Sequence, residues 1–257
     1  MIILLSPAKT LDYETPAPLA KTSEPEFVED SATLIRGLKK QSVSDIRSLM
    51  KLSPTLAELN VARYQAWKKT PDHAATKQAI FAFKGDVYQG FEADSLSARD
   101  INWAQKRIRI LSGLYGVLKP LDRMQPYRLE MGTRLKTQAG ASLYDFWGDR
   151  LTRRLASELD GVTPKACINL ASNEYFKAVD PSGLGAKLVT PKFLDFSRGE
   201  YRFLSFFAKR ARGLMARWLV TERVTTLKSL VDFDVQGYRY SESHSQDGQP
   251  TFIRDKQ

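Results

Sequence analysis

Residues 107–128 read RIRILSGLYGVLKPLDRMQPYR, and the first ten of these positions decide the fold. Arg107-Ile108-Arg109-Ile110-Leu111 alternates polar and apolar side chains, the period of a half-buried strand. The same run also continues a helix that opens at the capping-box pair Ser97 and Asp100. As a strand, 107–116 becomes a strand and loop. As a helix, it makes Gly113 and Gly116 the hairpin of a helix-hairpin-helix, whose hairpin amides grip the DNA backbone without reading sequence. These glycines are three apart where the usual hairpin has them two apart, and Pro120 shortens any second helix, so the strand is favoured with both readings open. Either way the chain turns at Gly113 and Gly116, where a backbone takes positive φ or approaches a ligand closely.

Outward from this stretch, strands and helices alternate. Ile2–Leu5 is a continuous apolar run and reads as a buried strand ending in the loop Ser6-Pro7-Ala8-Lys9. Residues 14–25 carry Pro16, Pro18 and Pro25 and read as an exposed connection. Helical spacing follows through Leu38 and again over Val43–Met50, and Ser53-Pro54 caps a helix toward Trp67. Phe81–Phe83 reads as a short strand. The clearest helix is 143–159, where Leu143, Trp147, Leu151, Leu155 and Leu159 repeat every four residues. Ala166–Leu170 reads as a strand and Asn173–Phe176 as a short helix. Residues 187–195 and 201–207 are strand-like, 208–220 is helical, and the tail offers a hairpin turning near Asp247-Gly248. The expected architecture is α/β in the mixed α+β sense: a single compact domain over 1–257 with a central sheet flanked by helices.

Composition narrows the function. Lys and Arg outnumber Asp and Glu by 39 to 29, a formal charge of +10, which favours polyanions, nucleic acid first. The single cysteine, Cys167, sits in an apolar run and reads as a buried, unreactive thiol in a reducing cytosol. With His73 and His244 as the only histidines, a zinc finger or iron–sulfur cluster is implausible; an all-carboxylate metal site stays open, though neither metal nor cofactor is expected. The apolar amino terminus stops at Ser6-Pro7, too short for a signal peptide or a membrane span, so a cytoplasmic protein without membrane contact is expected. Oligomeric state is not legible.

Several groups carry candidate chemistry. The basic cluster at 202–228 holds Lys209, Arg210, Arg212 and Arg217 with one acid, Glu222; with Lys106, Arg107 and Arg109 it suits backbone phosphates. Gly113, Gly116, Lys119 and Arg128 complete the candidate DNA-binding set. Lys9 lies at a strand's carboxyl end, where open α/β sheets bind ligands, although the loop lacks the glycines of a P-loop. Lys84-Gly85-Asp86 and Tyr88 join that loop if the two strands pair.

Six blocks in one order resemble the peroxide-stress YaaA family (DUF328, UPF0246). They are LLSPAKTLDY (4–13), FKGDVYQG (83–90), LSGLYGVLKPLDRMQPYRLEMG (111–132), LYDFWGD (143–149), NLASNEYFK (169–177) and KRARGLMARW (209–218). The resemblance implies a bacterial protein that limits iron-mediated oxidative damage. It also implies a family-specific fold with a basic cleft and a helix-hairpin-helix-like element, binding double-stranded DNA, distorted or damaged duplex included, largely without sequence specificity. A weaker likeness, to small α/β domains found with nucleobase-modifying enzymes, keeps an alternative open. That alternative is an enzyme acting on a nucleotide or damaged nucleobase in a pocket built from the SPAK, GDVY and SGLYG loops. Its candidate catalytic residues are Lys9, Asp86, Tyr88, Ser112, Asp122, Tyr127 and Arg128, with Tyr115 beside them; Asp86 or Asp122 accepts the proton and Lys9 or Arg128 holds the anion. A third reading is a binding protein that presents its basic face to acidic partners.

Overall fold

A computed structural model describes residues 1–255. Ile2–Leu5, buried at every position, is the central strand of a five-stranded sheet. Its order is Gly116–Leu118, Ile108–Ser112, Ile2–Leu5, Ala166–Asn169, Lys187–Val189. The last four run parallel, and Gly116–Leu118 closes one edge antiparallel to its neighbour. Parallel strands covered on both faces need side chains apolar on both sides, which is why Ile2–Leu5 is an unbroken apolar run rather than an alternating one.

The 107–116 ambiguity resolves to strand. Helix Ala98–Arg107 ends at Ile108, whose backbone turns extended, and Ile108–Ser112 pairs with Gly116–Leu118 through a tight hairpin. The helix-hairpin-helix reading of Gly113 and Gly116 therefore does not hold at this loop. Gly116 has φ +66°, and a Cβ there would meet the buried Trp147 ring at 2.9 Å; at Gly113 a Cβ would lie 2.2 Å from the Leu129 carbonyl. Both glycines serve close packing inside the protein.

A second sheet, ordered Glu200–Arg202, Lys192–Ser197, Gln249–Arg254, Tyr238–Gln246, contains the expected tail hairpin, turning at Gly248 with φ +69°. Stacked and edge-to-face contacts among Phe193, Phe233, Tyr238 and Phe252 fill its inner face. Helix Ser205–Thr221 packs against this sheet and crosses the short helix Asp86–Phe91 at very close range. A Cβ on Gly213 would lie 1.8 Å from the Val87 carbonyl, and one on Gly90 2.2 Å from the Arg210 carbonyl, so only glycine permits that crossing.

Four further expectations are corrected. The helix at 143–159 is two helices, Leu143–Trp147 and Arg150–Asp160, separated where Gly148 takes φ +50° and caps the first. Phe81 belongs to a helical turn, Ala79–Ala82, and the strand is Phe83–Lys84, antiparallel to Thr10–Leu11. The run 187–195 splits at Thr190-Pro191 between the two sheets. Beyond Arg202 the strand reading of 201–207 fails, because the helix begins at Ser205 and leaves Phe203, Phe206 and Phe207 exposed. One continuous hydrophobic cluster reaches from Met1 to Phe252 and joins both sheets.

Candidate functional site

Strands Ile2–Leu5 and Ala166–Asn169 are parallel neighbours whose chains leave in opposite directions. The first leads toward Ile108–Ser112 on one side and the second toward Lys187–Val189 on the other. In open α/β sheets the crevice outside the carboxyl ends of two such strands is where ligands bind. Here the crevice is tied by Ser6, whose Oγ accepts the Ser172 backbone N–H at 2.8 Å and donates to Ser172 Oγ at 3.3 Å. The Tyr88 hydroxyl donates to the Ser6 carbonyl at 3.0 Å.

Above this floor lies a cavity of about 330 Å³. Lys9, Lys84, Lys209 and Arg212 line it, with Asp86 and Glu174 as the carboxylates and Tyr88 and Tyr175 as aromatic wall. Burial pushes both tyrosine hydroxyls well above their usual pKa, so they stay neutral hydrogen-bonding groups. Two of the cations are tethered: Lys9 to Glu130 at 3.2 Å and Lys84 to Asp12 at 2.5 Å. Burial lowers the pKa of the Arg212 guanidinium from its usual value, the signature of a cation held partly out of water. Glu130 also holds Arg128 at 3.0 Å, placing that residue at the edge of the Lys9 loop. The antiparallel pairing of Thr10–Leu11 with Phe83–Lys84 is what brings the SPAK and GDVY loops together.

On the other side of this two-stranded ribbon opens a larger cleft, about 710 Å³, lined by Tyr13, Arg63, Trp67, Gln125 and again Lys84. The ribbon wall is held by Asp12, which accepts from the backbone of Glu14 and Thr15 and pairs with Lys84, while Lys77 approaches at 3.8 Å. The Lys84 ammonium, with those backbone donors, holds the Asp12 carboxyl well below the usual carboxylate range. Nothing in the sequence marks this cleft, because Arg63 and Trp67 read as ordinary positions of the helix Pro54–Ala66 and its end.

Other candidates belong to the interior. Ser112 is fully buried; its Oγ lies 2.6 Å from the Tyr127 hydroxyl and accepts the Tyr115 backbone N–H at 2.9 Å. The Tyr115 hydroxyl in turn accepts from Trp67 Nε1 and the Gln125 backbone. Asp122 is buried against Ser23 and the Lys119 backbone. These groups brace the hairpin and do not line the cavity, so the SGLYG loop is no part of the pocket. Ser172 and Tyr175 take its place; extending the strand-end rule from Ser6 to the end of Ala166–Asn169 would have found them.

The candidate DNA contacts also divide. Lys209 and Arg212 face the cavity, and Arg210 is half-buried beside them. Arg217 is a clamp, donating to the Phe91 and Glu92 carbonyls and to Ser95 Oγ at 2.9 Å each. Arg109 is 5% exposed and bonded to Glu158 at 2.5 Å, which removes it from any surface. Lys106 and Arg107 precede the parallel strand Ile108–Ser112 and so sit at the sheet's amino end, opposite the cavity, with Lys119 also half-buried at that end. The neighbouring Met1 amine, pushed down to about 6 by burial and then by Arg107, marks the same end. The two basic clusters do not form one surface.

A family profile described as "Peroxide stress protein YaaA" matches residues 1–244. The chain belongs to this family. It is 53% identical over 257 residues to a UPF0246 protein of Cupriavidus pinatubonensis, covering 99% of this chain and 98% of the relative. To a UPF0246 protein of Burkholderia lata it is 51% identical over 256 residues, covering 99% and 98%. To one of Shewanella sp. (strain W3-18-1) it is 49% identical over 257 residues, covering 100% of each. The family match covers the whole five-stranded sheet and every segment that lines the cavity, and ends within strand Tyr238–Gln246 of the second sheet. Among the described residues no helix is long and apolar enough to cross a membrane, and no group of three or more His, Cys, Asp or Glu is placed to hold a metal ion.

Proposed function

We propose that this member of the peroxide stress family acts in the cytoplasm by binding double-stranded DNA, largely without sequence specificity, through the basic mouth of the switch-point cavity. The observation that carries this reading is convergence: Lys9, Lys84, Lys209 and Arg212 come from three separate parts of the chain to one opening. Backbone phosphates are the ligands such a ring of cations selects, and they carry no base information. A second element supports the reading. Helices Val43–Met50 and Pro54–Ala66 are joined by Lys51-Leu52-Ser53, with Lys51 in a left-handed conformation at φ 52°. We read this pair of helices as the candidate for a helix-hairpin-helix-like element, at a place other than Gly113–Gly116.

Fluorescence anisotropy of a labelled duplex across a salt series tests the proposal. Four phosphate contacts predict about a hundredfold loss of affinity between about 50 and 200 mM salt. Lys209→Ala with Arg212→Ala is expected to lower affinity for every sequence and to reduce the salt slope by about two. Binding that ignores salt, or a double variant with unchanged affinity, removes this surface from the interface.

A second reading, an enzyme acting on a nucleotide or damaged nucleobase, draws on the volume of the same cavity and on Asp86, one of the two carboxylates that line it. It predicts that Asp86→Asn abolishes peroxide protection in cells while duplex affinity stays intact. Full protection by that variant argues against chemistry there.

A further inference from the structure

The cleft on the far side of the Thr10–Leu11 and Phe83–Lys84 ribbon is larger than the cavity and is not explained by it. Its floor is one face of helix Pro54–Ala66, where Leu59, Ala62, Arg63 and Ala66 fall at the spacing that brings helical residues to one side. Ala62 and Ala66 are small and exposed, so the helix leaves an open trough there, walled by Leu11, Tyr13 and Trp67. Its volume, about 710 Å³, lies within the range of sites that enclose a small organic molecule.

The inner polar groups of this trough are satisfied by the protein itself. Trp67 Nε1 donates to the Tyr115 hydroxyl at 2.9 Å, and the Tyr13 hydroxyl donates to the Met124 carbonyl at 2.7 Å. The Gln125 side chain exchanges two hydrogen bonds with the Lys68 backbone, and Asp12 is paired with Lys84. Arg63 is the exception. It is half-buried, burial lowers the pKa of its guanidinium, and among the described residues no acceptor receives it. Tyr13 and Tyr64 beside it are held neutral by burial, and its other charged neighbour, Arg128, is a second cation. Arg109, Arg150 and Arg254, buried or half-buried elsewhere, each meet a carboxylate. A cation drawn out of water without a partner is unfavourable, and an incoming anion relieves that penalty.

The surroundings define the anion. A guanidinium fork matches a carboxylate through two parallel hydrogen bonds. Exposed Glu14 and paired Asp12 line the same cleft, so a second negative charge on the ligand would be repelled, which favours a monoanion over a phosphomonoester. The trough over Ala62 and Ala66, with aromatic rings on its walls, suits a flat apolar body.

We propose that this cleft binds a small aromatic monocarboxylate, Arg63 holding the carboxylate while the ring lies over Ala62 and Ala66 between Tyr13 and Trp67. The site is separate from the DNA-binding reading, since neither Lys209 nor Arg212 lines it and Lys84 alone is common to cleft and cavity.

Isothermal titration of the full-length protein with naphthalene-2-carboxylate, naphthalene-2-carboxamide and acetate tests this. Wild type is expected to bind the carboxylate at a single saturable site, the neutral amide about tenfold or more weakly, and acetate not measurably. Arg63→Gln is expected to weaken the carboxylate about tenfold or more and to leave the amide unchanged. Ala62→Trp, which fills the trough and keeps the charge, is expected to abolish binding of both. Equal affinity for carboxylate and amide, unchanged binding in either variant, or no saturable binding by wild type overturns the proposal. Loss of duplex affinity in Arg63→Gln, with no carboxylate binding by wild type, assigns Arg63 to a DNA phosphate and likewise overturns it.

Discussion

Asp122 shows how a residue with the right chemistry is placed for another purpose. Its carboxylate accepts from Ser23 Oγ at 2.6 Å and from the Lys119 backbone at 2.7 Å, and burial pushes its pKa up to about 6. Between about pH 4 and 6 the folded protein keeps a proton that the unfolded chain has released. The stability tied to this group is therefore full below about pH 4 and is lost as pH rises through 6. Relative to Asp122→Asn, wild type is expected to lose up to about 3 kcal/mol between pH 4 and 7, measured by urea unfolding at each pH. A constant difference would mean that the carboxyl titrates in the ordinary range. Cys167 follows the same logic, buried and with its thiol pushed up to about 12 by burial, so it has no thiolate to offer peroxide at neutral pH. In the sequence Asp122 stands among Pro, Tyr and Arg like a site residue, whereas the apolar neighbours of Cys167 already announce its burial.

Elements meet most closely where helix Ser205–Thr221 crosses Asp86–Phe91 at Gly213 and Gly90. Gly213→Ala forces its methyl against the Val87 carbonyl and is expected to cost about 3 kcal/mol in urea unfolding, the upper end of overpacking penalties. Because the same helix carries Lys209 and Arg212, duplex affinity should fall in the folded fraction as well. Wild-type stability in Gly213→Ala would mean that the crossing is looser than its geometry. In sequence Gly213 is only a weak position in a helix, since propensity says nothing of what lies across it. The apolar residues spaced every four positions show the converse. Leu143, Trp147, Leu151, Leu155 and Leu159 are all buried as their spacing implies, yet Gly148 divides them between two helices. The second helix restarts in phase, so periodicity alone reports one helix.

At the scale of the whole molecule, the two basic clusters lie at opposite ends of the five-stranded sheet, Lys209 and Arg212 at the cavity and Lys106 and Arg107 at the amino end of Ile108–Ser112. If the carboxyl end is the DNA interface, Lys106→Ala with Arg107→Ala should leave duplex affinity and its salt slope within about twofold of wild type. A loss matching that of the Lys209 and Arg212 variant would move the interface to the amino end. The sequence by itself determined the family, the mixed α/β class, the buried first strand and the basic character, because each rests on local pattern or on composition. It also let the SPAK and GDVY loops adjoin if Ile2–Leu5 and the strand at Phe81–Phe83 pair; the loops do adjoin, but through Thr10–Leu11 against Phe83–Lys84, while Ile2–Leu5 pairs elsewhere. Only the tertiary structure decided which polar residues face a cavity and which brace the core. It alone brought Ser172 and Tyr175 to the site, buried Arg109 against Glu158, opened the cleft at Arg63 and left three phenylalanines in water. The physical reason is range: spacing along a chain encodes which face of an element is apolar, while burial and charge pairing depend on contacts between residues far apart in sequence.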